Sequence, residues 1–108
     1  MTSELQYMKV GGTGEIAGSA TAKRVSDAIT AAGAKMVKFK ARGANTGRCY
    51  VGVTAALTLP DGSDDETTGW ELGAGEETGW LPVAAGDLSG FWYMGDSATD
   101  HLLACWLT

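Results

Sequence analysis

The sequence contains few of the residues from which catalytic and metal sites are usually built. Its 108 residues include one histidine and two cysteines, and eight Lys and Arg residues stand against 13 Asp and Glu residues. A net charge of −5 gives no attraction to phosphate backbones or anionic lipids, so nucleic acids and membrane surfaces are disfavoured as partners. No apolar run approaches the roughly 20 residues of a membrane-spanning helix. The first seven residues lack the basic and apolar stretches of an export signal, which predicts synthesis in a cytoplasm.

The cysteines and the histidine do not form a recognisable site. Cys49 and Cys105 each lie in an apolar run, and a disulfide requires that their strands be neighbours. Without an export signal we favour free thiols that pack as small hydrophobic groups. His101 has no zinc-ligand spacing to either cysteine, and no motif places it beside a nucleophile. The sequence therefore predicts a protein that is not an enzyme and carries no cofactor.

Short alternating segments follow one another through the second part of the chain. Glycine is abundant at 16 residues and proline is limited to two, which is typical of tight turns between short strands. Residues 36–41 and 48–53 alternate, and the intervening turn chemistry predicts a β-hairpin. Further strands are predicted over 70–72, 77–83, 91–94 and 101–107. About seven or eight such strands predict an all-β fold, an antiparallel β-sandwich or small barrel.

The first 35 residues are less regular. Leu5 to Val10 fits a strand and Gly11 to Gly14 a flexible break, so residues 1–14 are predicted to form an N-terminal arm ahead of one β-sandwich domain at 15–108. The alanine-rich stretch Ala20 to Ala34 fits two alternatives. One is a short helix with a serine cap and a glycine stop, and the other is a strand over Thr21 to Val25 followed by a loop. We favour the strand.

An acidic segment interrupts the strands. Leu57 to Thr68 contains Pro60 and the run from Asp61 to Glu66, and it is predicted to be an exposed loop. Its carboxylates are suitable ligands for calcium, but they lack the spacing of a helix–loop–helix calcium site. Because acidic loops are usually solvated, we favour a loop without metal.

The aromatic residues are the best evidence for a partner. Four tryptophans exceed the needs of so small a core, so at least one should be partly exposed or buried between subunits. Trp70 and Trp80 each follow Thr-Gly, which predicts two similar strand starts. Alternation places Trp92 on one face of its strand and Tyr93 on the other, and the last strand is likewise apolar on both faces. The predicted interface residues are Leu5, Tyr7, Met8, Trp70, Trp92, Tyr93 and Trp106.

Several motifs follow one another in a recurring order from Val37 onward. Ala44-Asn-Thr-Gly47 precedes Cys49-Tyr-Val-Gly52, and Gly69-Trp-Glu-Leu72 precedes Ala74-Gly-Glu76. Asp87-Leu-Ser89 then leads into the aromatic strand and a last apolar strand. In this order of motifs the chain resembles a family of small β-rich proteins encoded among the head and structural genes of tailed bacteriophages.

The resemblance implies a virion structural protein that decorates the capsid surface and reinforces the head at capsomer junctions. It implies the major capsid protein as partner and a homo-oligomer, expected to be a trimer. The flexible arm at residues 1–14 is our candidate for reaching onto a neighbour and becoming ordered on binding. The exposed aromatics support an alternative, a carbohydrate-binding or adhesion module on a phage head or tail that uses Trp70, Trp92 or Tyr93.

Overall fold

A computed structural model describes residues 10–59, 69–84 and 86–108, which form two four-stranded antiparallel sheets. Sheet A contains β1 (Val10–Ile16), β8 (Leu102–Leu107), β3 (Met36–Ala41) and β6 (Glu77–Pro82), in that order across the sheet. Sheet B contains β2 (Lys23–Arg24), β7 (Trp92–Gly95), β4 (Cys49–Gly52) and β5 (Trp70–Leu72), in that order. The predicted all-β sandwich is confirmed. No helix in these ranges is long and apolar enough to cross a lipid bilayer.

The core lies between the two sheets, and alternation along the strands builds it. β3 and β8 are antiparallel neighbours with Phe39 opposite Ala104, and every second residue of each strand is buried. Phe39 meets Phe91 edge to face with 5.3 Å between ring centroids, a favourable aromatic geometry. Sheet A contributes Val37, Phe39, Ala41, Leu102, Ala104 and Trp106, and sheet B contributes Cys49, Val51, Leu72 and Tyr93.

The predicted hairpin over residues 36–53 is wrong. β3 pairs with β6 and β8 in sheet A, whereas β4 pairs with β5 and β7 in sheet B. The connection at residues 42–48 therefore crosses from one sheet to the other. Turn chemistry marks where a strand ends, but it does not determine which sheet receives the next strand.

A polar network holds this crossing connection to a second one, the connection between β7 and β8, which also passes from sheet B to sheet A. The Asn45 side chain donates to the His101 carbonyl at 2.9 Å and accepts from the His101 N–H at 2.8 Å. The buried Asp100 carboxylate accepts from the backbone N–H groups of Thr46 and Gly47, at 3.1 and 2.9 Å. Hydrogen bonds from Gly47 and from neighbouring groups hold the pKa of Asp100 below its ordinary value. A side chain at Gly47 would collide with this carboxylate.

The N-terminal part of the described chain is more ordered than the sequence predicts. Val10 to Gly14, assigned to the flexible arm, belong to β1 and pair with β8. The glycines there do not break the strand, because neighbouring side chains occupy the space that their own would take: Trp106 lies against Gly12, and Ile29 against Gly14. Residues 1–9, including the strand predicted to begin at Leu5, lie outside the described residues.

The strand predicted over Thr21 to Val25 is present in short form. β2 pairs Lys23 with Tyr93 and Arg24 with Trp92, and a single 3₁₀ turn follows at Val25–Asp27. The helical alternative is therefore wrong for this stretch. Alanine alone does not stabilise a helix here because the chain instead buries Val25 and Ile29 in the sandwich core.

Candidate interaction surface

The side of sheet A that faces away from the core is an apolar surface that the described residues leave uncovered. We call it outer face A. It carries the outward residues of all four strands, because the alternation that buries Leu102 and Ala104 turns their neighbours outward. Its apolar members are Val10, Met36, Trp80, Pro82, Leu103, Cys105 and Leu107.

The apolar residues of outer face A form cross-strand rows. Leu107 lies opposite Val10 on one side and opposite Met36 on the other, and Met36 in turn lies opposite Pro82. In the next row, Lys38 lies between Cys105 and Trp80. Val10 is 79% exposed and Trp80 is 37% exposed. One end of outer face A is therefore apolar from edge to edge.

Charged residues occupy the opposite end. Lys38 lies 3.7 Å from the Glu77 carboxylate, and its ammonium lies 5.0 Å from the centre of the Trp80 ring. Cation and ring attract each other electrostatically, which holds the indole against β3. A groove of about 540 Å³ runs along this part of the sheet. In it, Leu103 of β8 lies between Glu15 and Lys40, and Cys105 lies between Thr13 and Lys38.

An ionic cluster closes the charged end. One Glu15 carboxylate oxygen lies 2.7 Å from His101 Nδ1 and 3.1 Å from an Arg42 guanidinium nitrogen. Arg42 also donates to the Thr99 carbonyl at 3.3 Å. The cluster ties β1 to the crossing loops, which is a structural role. His101 therefore faces Glu15 and not Cys49.

The outer face of sheet B is covered by the chain itself. Leu57, predicted to be part of an exposed loop, is 4% exposed and packs with Tyr50 and Met94, and Leu59 and Trp92 flank this cluster. The strand from Trp92 to Gly95 is thus buried on both faces without a second subunit. The argument for an interface from this alternation is therefore wrong, because the cover comes from the segment that follows β4.

Trp70 lies beside a separate apolar pocket. The ring is 38% exposed, and together with Gly52, Val53 and Leu57 it lines a space of about 340 Å³. Gly69, which has φ +61° and abuts the Val51 carbonyl, sets the start of β5 and so the position of this indole. Residues 60–68 of the predicted loop from Leu57 to Thr68, which include the carboxylates considered as calcium ligands, lie outside the described residues.

The predicted interface residues differ in their exposure to solvent. Trp70 is accessible, and Trp92 is half-buried with Arg24 stacked 4.9 Å from its ring centre. Tyr93 and Trp106 are each 7% exposed in the core, so they offer little surface to a partner. Leu5, Tyr7 and Met8 lie outside the described residues.

The residues of outer face A were not predicted as an interface from the sequence. Trp80 was not among the predicted interface residues, although Leu81 and Val83 alternate with Trp80 and Pro82 and would have placed the indole outward. Its exposure, with that of Trp70, confirms that the tryptophans exceed what the core accommodates.

The cysteines show the chemistry expected of structural thiols. Both are free: Cys49 is buried in sheet B, and Cys105 is half-buried in sheet A. Burial, reinforced by the negative charges of Asp100 and Asp96, raises the pKa of Cys49 to about 11, so at neutral pH it is a thiol and a poor nucleophile. Across the described residues, no three His, Cys, Asp or Glu side chains are grouped so that they could hold a metal ion.

Comparison with known proteins gives no match to any family model, curated protein or solved structure.

Proposed function

We propose that this chain is a non-enzymatic virion structural protein that decorates a phage capsid, with outer face A as the surface that meets the major capsid protein. The observation that supports the proposal is the apolar outer face of sheet A, where Trp80 is 37% exposed, in contrast to the outer face of sheet B, where Leu57 packs on Tyr50 and Met94. The resemblance of the motifs from Val37 onward supplies the virion context.

The mechanism is reinforcement by burial. Each Å² of apolar surface removed from water contributes about 25 cal/mol, reduced by the entropy of ordering the partners. Lys38, Lys40, Glu15 and Glu77 border the apolar rows and would select the register of docking, since charged groups at a rim mainly contribute specificity. Repeated at every capsomer junction, a modest gain per site would resist separation of the shell.

The two accessible tryptophans provide a matched test. Trp80 and Trp70 are equally exposed but lie on different sheets. Trp80→Ala should weaken co-sedimentation with capsids that lack the protein by at least about tenfold, because aromatic anchors dominate interfaces. Trp70→Ala should change it less than about threefold. Equal losses, or failure of the wild-type chain to bind capsids or to be found in purified virions, would contradict the proposal.

A second candidate function rests on Trp70. A half-exposed indole beside an apolar pocket is the arrangement that stacks on a sugar ring, so a carbohydrate-binding or adhesion module is the alternative. Glycan-dependent quenching of tryptophan fluorescence that Trp70→Ala abolishes and Trp80→Ala retains would favour it. No quenching across a glycan panel would reject it.

A further inference from the structure

Outer face A carries one positive charge that its own residues do not balance. Glu15 pairs with Arg42 at 3.1 Å. Glu77 lies 3.7 Å from Lys38 and directly opposite Lys40 on the neighbouring strand, so two lysines share one carboxylate. Lys40 is exposed, and within the described part of the chain it has no ion pair of its own. On a chain of net charge −5, this unbalanced cation favours a negative charge on the partner.

The groove beside Lys40 has the width of an extended peptide. It runs along β8, with β1 and β3 on its two sides, and these strands lie two strand spacings, or about 9.5 Å, apart. An α-helix with its side chains is about 10–12 Å wide, which exceeds this spacing, whereas a single strand fits. About five extended residues would follow β8 from Leu103 to Leu107, a length of about 13 Å. Such a segment contacts both the groove and the apolar row that contains Leu107.

The charges around Lys40 favour a single carboxylate over a polyanion such as a phosphate chain or a sulfated glycan. Glu15 and Glu77 line the same groove and would repel a polyanion. One carboxylate needs only one cation, and Lys40 supplies it directly opposite the apolar side chain of Leu103. The chemistry that fits the groove is therefore one Asp or Glu side chain with apolar neighbours.

We propose that outer face A binds an extended segment of its partner protein, which carries one Asp or Glu for Lys40 and apolar side chains for Leu103 and Leu107. This inference rests on the proposed function, in which the partner is the major capsid protein, and it adds the chemistry of the segment that is recognised. Trp80, on β6, anchors the partner beside the groove, and Lys40 selects the segment that lies in it.

Charge variants of Lys40 test for the carboxylate. In co-sedimentation with capsids that lack the protein, Lys40→Met should weaken binding about threefold to fivefold, because it removes one partly solvated ion pair. Lys40→Glu should weaken binding at least about tenfold, because it places like charges against each other. Lys23→Glu makes the same change of charge at an exposed position on sheet B, and it should alter binding less than about twofold.

Carbodiimide cross-linking identifies the residue that faces Lys40. The reagent joins an amine to a carboxylate in contact with it, so decorated capsids should yield a peptide in which Lys40 Nζ is bonded to an Asp or Glu of the capsid protein. Lys40→Arg keeps the positive charge but offers no reactive amine, because the guanidinium stays protonated. This variant should bind capsids within about twofold of the wild-type chain and should lose the cross-link.

The outcomes separate this inference from the proposed function. If Trp80→Ala weakens capsid binding while Lys40→Glu and Lys23→Glu have equal effects, outer face A binds capsids without a carboxylate at Lys40, and only this inference is wrong. If the wild-type chain does not bind capsids, both are wrong. Stronger binding by Lys40→Glu would indicate a basic segment and overturn the inference. A cross-link from Lys40 to Glu4 in the isolated protein would also overturn it, because the chain's own N-terminal segment would then occupy the groove.

Discussion

The two sheets differ in what covers their outer faces. Sheet B is covered by the segment after β4, where Leu57 packs on Tyr50 and Met94, and its outer side is therefore a second small core. Sheet A leaves Val10 and Trp80 in solvent and buries Leu103 and Leu107 only in part. Both outer faces are apolar. The hydrophobic pattern of a strand therefore does not show whether the residues that cover its outer face come from the same chain or from another molecule.

The largest expected effect contrasts one leucine from each face. Leu57→Ala should lower the free energy of unfolding by about 3 kcal/mol, because it removes a buried side chain and leaves a cavity. Leu103→Ala should lower the free energy of unfolding by about 1 kcal/mol or less, because that side chain is already partly in contact with water. Urea denaturation compares them. If Leu103→Ala lowers the free energy of unfolding as much as Leu57→Ala does, outer face A is covered in solution and the two outer faces do not differ in this respect.

A smaller effect concerns the two thiols above neutral pH. Burial raises the pKa of Cys49 from its ordinary 9.0 to about 11. Between pH 9 and 11 the unfolded chain releases a proton that the folded chain retains, so stability is complete below pH 9 and falls as the pH rises. Across this pH range, the free energy of unfolding should fall by about 2 kcal/mol.

Matched variants isolate the contribution of Cys49. Stability curves from pH 8 to 11 should lose part of their downward slope in Cys49→Ala and keep it in Cys105→Ala. The second variant controls for loss of a thiol without loss of the buried one. The same slope in both variants would show that Cys49 is not the group responsible.

The smallest effect compares two cation–ring pairs. Arg24 lies over half-buried Trp92 on sheet B, and Lys38 lies over exposed Trp80 on sheet A. Arg24→Met should cost about 1 kcal/mol of stability and Lys38→Met about 0.5 kcal/mol, because the Trp92 ring is better shielded from water than the Trp80 ring, although Arg24 is itself the more exposed cation. Thermal unfolding at low and high salt measures both. A larger loss of stability in Lys38→Met than in Arg24→Met would indicate that the Lys38–Trp80 pair is screened less by water than the Arg24–Trp92 pair.

Strand positions could be predicted from the sequence wherever burial alternates. β3 and β8 lie where the alternation placed them, with Phe39 and Ala104 inward. Pairing could not be predicted in the same way, because the turn after Ala41 contains no information about the receiving sheet. The two Thr-Gly-Trp segments illustrate the limit: Gly69 precedes β5, as a strand start should, whereas Gly79 lies inside β6.

The accessible surface was predicted less well than the fold, because the residues that cover the outer face of a strand lie far from that strand in the sequence. Trp92 and Tyr93, on opposite faces of one strand, indicated an interface in the sequence, but Leu57, more than 30 residues earlier, packs on the face that Trp92 shares with Met94. Trp106 was a candidate because its strand is apolar on both faces, yet side-chain-free Gly11 and Gly12 let the indole pack inside. Alternation with Leu81 and Val83 points Trp80 outward, but only the three-dimensional structure shows that the described residues leave this indole accessible and bury Trp106.

The position of β8 between β1 and β3 sets the order in which the molecule can be completed. Of the eight strands, β8 is translated last, and both of its neighbours are made earlier. β3 and β6 can pair before that segment is made, but among the described strands β1 has only β8 to join. Sheet A is therefore completed only after translation has passed β8.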